Sequence, residues 1–485
     1  MAEMPIGRML AYWAAKDPNR PAVTSEDASI TREALDARSN RLARAYQDIG
    51  VKQDDMVTIA LPNGIEFYEA ALATWKLGAI PQPISAKLPQ AEREAIVELA
   101  DPTLVVGVPD GAHPERATLA PGYAADPTLS DAALPERVAT YWKAPTSGGS
   151  TGRPKLIVSH DPGAFDPEEP PLEMACDRAQ LFPGPLYHNA PFLMSCRGLL
   201  CGNHIVLPRR FDPAQALDLL ARHEIDWTML VPTMMHRIWR LPPEVRARYS
   251  FPKLRVVLHL AAPCPVWLKE AWIEWLGADV IHELYGGTEG NGVTWITGSE
   301  WLEHKGSVGK MLEGFQLKIV GEDGRELPPG EVGEVYMLPD AGPGSGTTYH
   351  YLGAEPKQDA DGWESLGDMG YVDADGYLYL ADRRADMILA GGANIYPAEV
   401  EAAIDTHPAV RSSCVIGLPD DDLGSKVHAI VDAIAPVAEE DLLEHLAERL
   451  VRYKIPRSIE FVAEPLRDDA GKVRRTQLRA ERVSD

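Results

Sequence analysis

T-S-G-G-S-T-G-R-P-K runs from Thr146 to Lys155, and far downstream D-D-A-G-K-V-R runs from Asp468 to Arg474. The first run has almost no side-chain bulk and ends in a cation, as a loop that wraps phosphate oxygens should. Its glycines, Gly148, Gly149 and Gly152, let backbone N–H groups turn inward. The hydroxyls of Thr146, Ser147, Ser150 and Thr151 donate further hydrogen bonds, and Lys155 offsets negative charge. This is not the P-loop pattern, where Gly-Lys-Ser/Thr closes the run; here Arg153 and Pro154 separate Gly152 from Lys155. On composition alone a flexible Gly/Ser linker is the competing reading. The second run, and the motifs between the two, remove it.

Outward from this loop the chain alternates strands and helices. Leu35, Ser39, Leu42, Tyr46 and Ile49 form one helical stripe within 31–49. Val57, Ile59 and Leu61 alternate as a strand, ended by Pro62-Asn63-Gly64, and Ile65, Tyr68, Leu72 and Trp75 return to helical spacing. Strands are expected at 104–106, 227–231, 254–258 and 279–284, with helices at 213–223, 233–240 and 265–275. Such alternation implies parallel sheets covered by helices. From about 305, short strands and Gly-rich turns mark a β-rich subdomain. After Asp382 a smaller alternation resumes: helix 397–405, strands 412–416 and 427–432, helix 438–450, strand 458–462. That is the size of a small domain. The expected class is α/β, with a large N-terminal domain (1–382) of parallel-rich sheets plus the β-rich subdomain, and a small α+β C-terminal domain (383–485). The boundary falls at 382–386. The Pro- and acid-rich stretch 161–173 reads as an exposed loop.

A chain of 485 residues exceeds one ordinary core, in keeping with this division. The formal net charge of −25 argues against a nucleic-acid partner, because a phosphate backbone demands a basic surface. A nucleotide needs only a local cluster of donors. No apolar run reaches membrane-span length, and the N-terminus lacks a basic segment followed by an apolar one, so no signal peptide is expected. Five cysteines without C-x-x-C spacing fit reduced thiols in a cytoplasmic protein.

The motifs, in order, are the loop 146–155, Y-G-G-T-E at 285–289, S-L-G-D at 365–368, D-R-R-A-D-M-I-L-A-G-G-A-N-I at 382–395, and G-K at 471–472. With these in place the chain resembles, over roughly residues 8 to 479, the adenylate-forming (AMP-binding) superfamily of acyl-CoA synthetases, adenylation domains and luciferases. Within it, the fatty acid or aryl acid–CoA ligase branch fits. The chemistry explains the parts. A carboxylate does not react usefully with a thiol, because its leaving group would be oxide. Attack on the α-phosphate of ATP makes an acyl-adenylate, whose leaving group is AMP, and the thiol of coenzyme A can displace that. Bringing anions together requires cations and donors that stabilise the transition state.

The resemblance implies that Glu289 holds Mg²⁺, a hard cation that prefers oxygen. Thr288 would bond the α-phosphate and Tyr285, beside Gly286, would stack on adenine. Ala261, Ala262 and Pro263 would line the adenine. Asp368 would accept both ribose hydroxyls, and Arg383 would reach the ribose or phosphates. Lys472 would bridge carboxylate and α-phosphate from a mobile C-terminal domain, whose rotation then exposes Gly391 and Gly392 to the pantetheine arm of coenzyme A. Alone, each motif has a plainer reading: a strand-end turn for Glu289, a turn aspartate for Asp368, a solvated lysine for Lys472. Two departures stand out. Ala385 occupies the hinge position usually held by Asp or Lys, and His259-Leu260 replaces a small Ser-Gly-like pair, which should reshape the acyl pocket.

Tyr187-His188-Asn189-Ala190-Pro191-Phe192 matches the segment that borders the acyl site, so His188, Leu260 and Gly287 are expected there; as an isolated residue His188 could equally be a core histidine. No Asp occurs within 186–197 to pair an α-ammonium, which argues against an amino acid substrate. Gly286, Gly287, Gly290 and Gly292 suggest a roomy floor for a bulky apolar acid: fatty, aryl, alicyclic or steroid-like. The expected activity is an AMP-forming acid–thiol ligase, with ATP, Mg²⁺ and coenzyme A, of a kind used in fatty acid metabolism. The alternatives are an adenylating enzyme that loads a carrier-protein pantetheine arm, a light-emitting relative, and a catalytically silent homologue acting as a binding protein. The oligomeric state is not legible.

Overall fold

A computed structural model describes residues 3–26, 28–148, 154–340, 348–383, 386–390, 393–420, 423–468 and 471–483. Near the N-terminus, helix α1 (Arg32–Ile49) buries Leu35, Ser39, Leu42 and Tyr46, the predicted stripe, and stops at Gly50, whose φ of 116° only glycine adopts freely. Helix α2 (Ile65–Lys76) packs against it and crosses between parallel strands Met56–Ile59 and Ile80–Pro83. These strands belong to a four-stranded parallel sheet with Leu104–Val106 and Ala117–Leu119.

The loop 146–155 is held by a different layer. Strands β1 (Thr146–Gly148) and β2 (Pro154–Ser159) pair antiparallel, opposing Thr146 to Leu156 and Ser147 to Lys155. The stretch 161–173 that follows is mostly turn and loop, as its composition implies, but it is tied down near its centre. Ala164–Phe165 pairs with Met4–Pro5, Phe165 packs edge-on against Trp142, and Asp166 and Pro167 are buried. An aromatic anchor outweighs the surrounding acids.

Helix α3 (Asn189–Leu200) then leads into a nine-stranded sheet. Its centre is parallel: Pro21–Ser25, His204–Leu207, Ala179–Leu181, Trp227–Leu230, β3 (Val256–His259) and β4 (Ile281–Gly286). Most residues of these strands are buried, as expected of parallel strands with helices on both faces. Among the covering helices are α4 (Pro232–Trp239) and α5 (Val266–Leu276). The edges turn antiparallel with Ala28–Thr31 on one side and β5 (Val293–Thr297) on the other.

The β-rich part follows. β6 (Tyr349–Leu352) returns to pair with β2. β7 (Asp368–Val372) and β8 (Leu378–Arg383) complete a four-stranded antiparallel sheet with Phe315–Val320 and Gly333–Pro339. Beyond it, helix α6 (Pro397–Ile404) and the helix Arg475–Val483 pack on a three-stranded sheet. That sheet contains β9 (Val410–Asp420), β10 (Gly424–Ala433) and Ser458–Val462. Among the described residues no helix is long and apolar enough to cross a membrane.

Candidate active site

Directly opposed residues of an antiparallel ladder point to the same face. Ala144, Leu156, Val158 and Leu352 enter one apolar cluster. Lys155, Ile157 and Ser159 therefore share the other face with Tyr349 and Tyr351, and Lys143 joins them in register. Ser159 N donates to Lys143 O at 3.1 Å and Ile157 N to Pro145 O at 3.0 Å. Thr146 is anchored from below: its Oγ1 accepts from Gln82 Nε2 at 2.7 Å, and Gln82 Oε1 accepts from Thr58. Gly149, Ser150, Thr151 and Gly152 lie outside the described residues, as do Ala385, Gly391 and Gly392.

Glu289 stands at the centre of that face. It is carried by the hairpin turn between β4 and β5, and is 8% exposed. Tyr351 OH donates to Glu289 Oε1 at 2.6 Å, Lys155 Nζ lies 3.6 Å from the same oxygen, and Thr348 Oγ1 donates to the Glu289 carbonyl at 2.8 Å. The Lys155 ammonium also sits 3.9 Å from the Tyr351 ring centroid, a cation–π contact. Glu364 is buried nearby with Oε2 unpartnered; burial raises its carboxyl above the usual range, a hydrogen bond with Tyr349 opposes this, and repulsion from Glu289 adds to it.

Thr288 precedes Glu289 in the same turn. Tyr285, at the end of β4, donates its OH to Asp368 Oδ2 at 2.7 Å. Asp368 opens β7 and pairs with Arg383 at the end of β8, so three motifs distant in sequence meet where the nine-stranded and the four-stranded antiparallel sheets adjoin. Ala261 follows β3 with a φ of 73°, a left-handed conformation unusual for alanine, and opens an exposed turn with Ala262 and Pro263.

Of the four glycines expected to floor a roomy pocket, only Gly290 has open space around it, with nothing within 4 Å of an added Cβ. A Cβ on Gly287 would come within 2.5 Å of Leu366 and 2.8 Å of Glu289 Oε2. One on Gly286 would meet Gly292 O at 2.9 Å, and one on Gly292 would meet Met337 Sδ at 2.5 Å. These glycines let the turn pack closely. Leu260 is likewise buried in the apolar cluster with Phe192 and Met194. His259 is fully buried; burial, then the nearby Lys269 cation, holds its imidazole neutral, and Lys269 pairs with Glu283 at 2.6 Å.

His188 occupies the N-cap position of α3, with its ring centroid 4.3 Å from that of Tyr187. Beside it lies a residue that sequence reading missed. Lys143 is 2% exposed, and its Nζ donates to Asn189 Oδ1 at 2.9 Å. Burial pulls its ammonium down to about 8, while Asp161 and Glu289 pull back. The available signal was a lysine set between apolar Trp142 and Ala144, one strand-step before the loop.

Lys472 is exposed on a turn closed by Asp468, whose Oδ1 accepts from Lys472 N at 2.9 Å. Gly471, at φ 76°, is seated so closely on α4 that a Cβ would lie 2.8 Å from Thr233 Oγ1. Further along the same helical stripe, Arg240 Nη2 donates to Val410 O. Arg237 and Arg240 both act on Asp432, and Arg240 on Asp405. Thus α4 carries the Lys472 turn at one end and an arginine contact to β9 at the other.

The sequence matches the model of the AMP-binding enzyme family over residues 10–350, and that of the AMP-binding enzyme C-terminal domain over 399–472. It is 31% identical to a feruloyl-CoA synthase of Amycolatopsis sp, covering 99% of both chains. It is 30% identical to a fatty acid–[acyl-carrier-protein] ligase, ScoC, of Streptomyces coeruleorubidus, covering 97% of this chain and 95% of that one. The fold superposes on o-succinylbenzoate CoA synthetase from Bacillus subtilis, solved with its acyl-adenylate intermediate. The TM-score is 0.82 at 26% identity, over 99% of this chain and 98% of that one. Two family models and relatives aligned over nearly its whole length agree: the chain belongs to the AMP-binding enzyme family, in the CoA-ligase branch of the adenylate-forming enzymes.

Proposed function

We infer that this protein activates a small carboxylic acid with ATP, releasing pyrophosphate, and passes the acyl group to coenzyme A, releasing AMP. The observation that carries the reading is the convergence on Glu289 of Lys155, Tyr351 and Thr348, with the Tyr285–Asp368 contact alongside. That is one anion-compensating face built from separate motifs.

In this reading the loop from Thr146 to Lys155 takes the β- and γ-phosphates, Thr288 the α-phosphate, Asp368 and Arg383 the ribose, and Tyr285 with Ala261–Pro263 the adenine. Glu289 fits a hard divalent cation: it faces a second buried carboxylate, Glu364, with an orphaned oxygen, and the repulsion between the two favours a bound charge. Mg²⁺ held there would supply charge neutralisation for the phosphates. Lys472 brings the acid carboxylate and the α-phosphate together for in-line attack, with pyrophosphate as leaving group. The thiol of coenzyme A then attacks the acyl carbon and AMP departs. We place the boundary between the two domains at 382/383, assign Gly391 and Gly392 to the pantetheine path, and place the protein in the cytoplasm. His188, Leu260 and Gly287 border the acyl group, which is fatty, aryl, alicyclic or steroid-like.

One relative loads a carrier protein, so a second acceptor deserves a direct comparison. Purified protein with ATP and Mg²⁺ is offered an acid panel, and pyrophosphate is followed with and without coenzyme A. Turnover that rises with coenzyme A, with acyl-CoA confirmed by mass, is the expected result. Adenylate that passes only to a pantetheinylated carrier protein would move the reading to the carrier. Silence across the panel would point to a binding protein.

A further inference from the structure

Lys143 has no task in the reaction above, yet its position is costly. Its ammonium is buried, its partner Asn189 is neutral, and it stands at the N-terminal, positive end of α3, where a cation is disfavoured. The strand register puts it on the face that carries Lys155, Tyr351 and Glu289, at the end nearest the acyl segment.

What the arrangement accomplishes follows from donor chemistry. An ammonium only donates, so it fixes Asn189 with Oδ1 turned inward. Asn189 Nδ2, with its two N–H donors, must then point away from Lys143. Asn189 is the first residue of α3, directly after His188, and is half-buried rather than enclosed. The positive charge behind the amide and the helix end beside it both strengthen those donors toward an oxygen acceptor.

We propose that Asn189, oriented by Lys143, is a specificity-determining residue that donates a hydrogen bond to an oxygen acceptor on the body of the acid, distinct from the carboxylate that is activated. The assignment rests on the acid–CoA ligase reading and narrows its substrate class to oxygenated acids: hydroxy, keto or dicarboxylic. Lys143 is a positioning residue in this arrangement, because it acts through Asn189.

The test uses the full chain with ATP, Mg²⁺ and coenzyme A, and matched acids that differ by one oxygen function. Cyclohexanecarboxylate is compared with its 4-hydroxy, 4-oxo and 4-carboxy forms, and benzoate with 4-hydroxybenzoate. The quantity read is the ratio of kcat/KM within each pair. The wild type is expected to prefer an oxygenated member by about tenfold or more, the scale of one charge-supported hydrogen bond. The preferred member identifies which acceptor is read. Asn189→Leu should collapse that ratio toward one with the KM for ATP unmoved. Lys143→Met should do the same by letting the amide rotate; if it fails to fold, the half-buried Asn189 position carries the test. Equal use of paired acids by the wild type overturns the proposal and leaves the ligase reading standing. So does an Asn189→Leu loss spread evenly over both members, as a structural role would give. No turnover of any acid would overturn both, and the pyrophosphate signal separates that case from the others.

Discussion

Lys472 and Glu289 make opposite demands on their surroundings. Lys472 is exposed on a turn, as its proposed approach to the α-phosphate requires, whereas Glu289 is buried among a tyrosine, a lysine and a threonine. Lys472→Ala should therefore lower adenylate formation by roughly 10²–10³-fold, the cost of one preorganised charge donor. Thioester formation from supplied acyl-adenylate should be largely spared; equal loss in both half-reactions would remove the lysine from the first step. Glu289→Gln keeps the shape but removes the charge. The Mg²⁺ concentration for half-maximal pyrophosphate release should rise about tenfold or more, and an unchanged magnesium titration would take Glu289 out of the metal site. Motifs made of adjacent residues were legible in the sequence, because Gly-Thr-Glu and Gly-Lys carry their own spacing. Tyr351, Thr348 and Lys143 were not. Tyr351 and Thr348 reach Glu289 through the pairing of β6 with β2, and Lys143 is set beside Asn189 by the backbone bond from Ser159 of β2; strand register between distant segments is not written in either segment alone.

At the scale of elements, α4 links the two halves of the chain. Thr233 meets Gly471 at one end, and Arg240 meets the Val410 carbonyl at the other. Arg240→Ala deletes a charge-assisted bond across that junction, worth about 1.5–3 kcal/mol where it is made. The expected result is an approximately tenfold drop in adenylation rate with thioester formation from supplied adenylate little changed. The reverse pattern would mean that the contact belongs to the thioester-forming arrangement. The period-3.6 and period-2 patterns located most elements within a few residues: the α1 stripe, the strand at Val57 and Ile59, and the hairpin partners 412–416 and 427–432 were all visible. Gly286, Gly287 and Gly292 were misread, because a missing side chain looks the same whether it leaves space or admits a neighbour. Met337 and Leu366, which fill that space, come from other strands and loops.

Across the whole molecule, several histidines are neutral by burial. Burial, then His223, Arg20 and Arg32, push His204 down to about 4, and burial, then Arg240 and Arg237, do the same to His236. The unfolded chain binds protons at these sites from about pH 6.5 downward and the folded chain only near 4. Stability should therefore be full above pH 6.5 and fall as the pH drops toward 4, by up to about 3 kcal/mol per histidine. Thermal melts from pH 8 to pH 4 should show Tm falling through that window. A flat profile would mean that both imidazoles titrate normally.

The five cysteines have a consequence for the chemistry itself. Burial holds Cys196, Cys264 and Cys176 protonated, and pushes Cys201 and Cys414 up to about 12. An acyl-adenylate is an electrophile that waits inside its own maker, and thiolates are the nucleophiles best able to intercept it. With no resident thiolate to compete, the intermediate can outlast the arrival of its partner. Intact-mass spectra taken after turnover without coenzyme A should accordingly show an unmodified polypeptide.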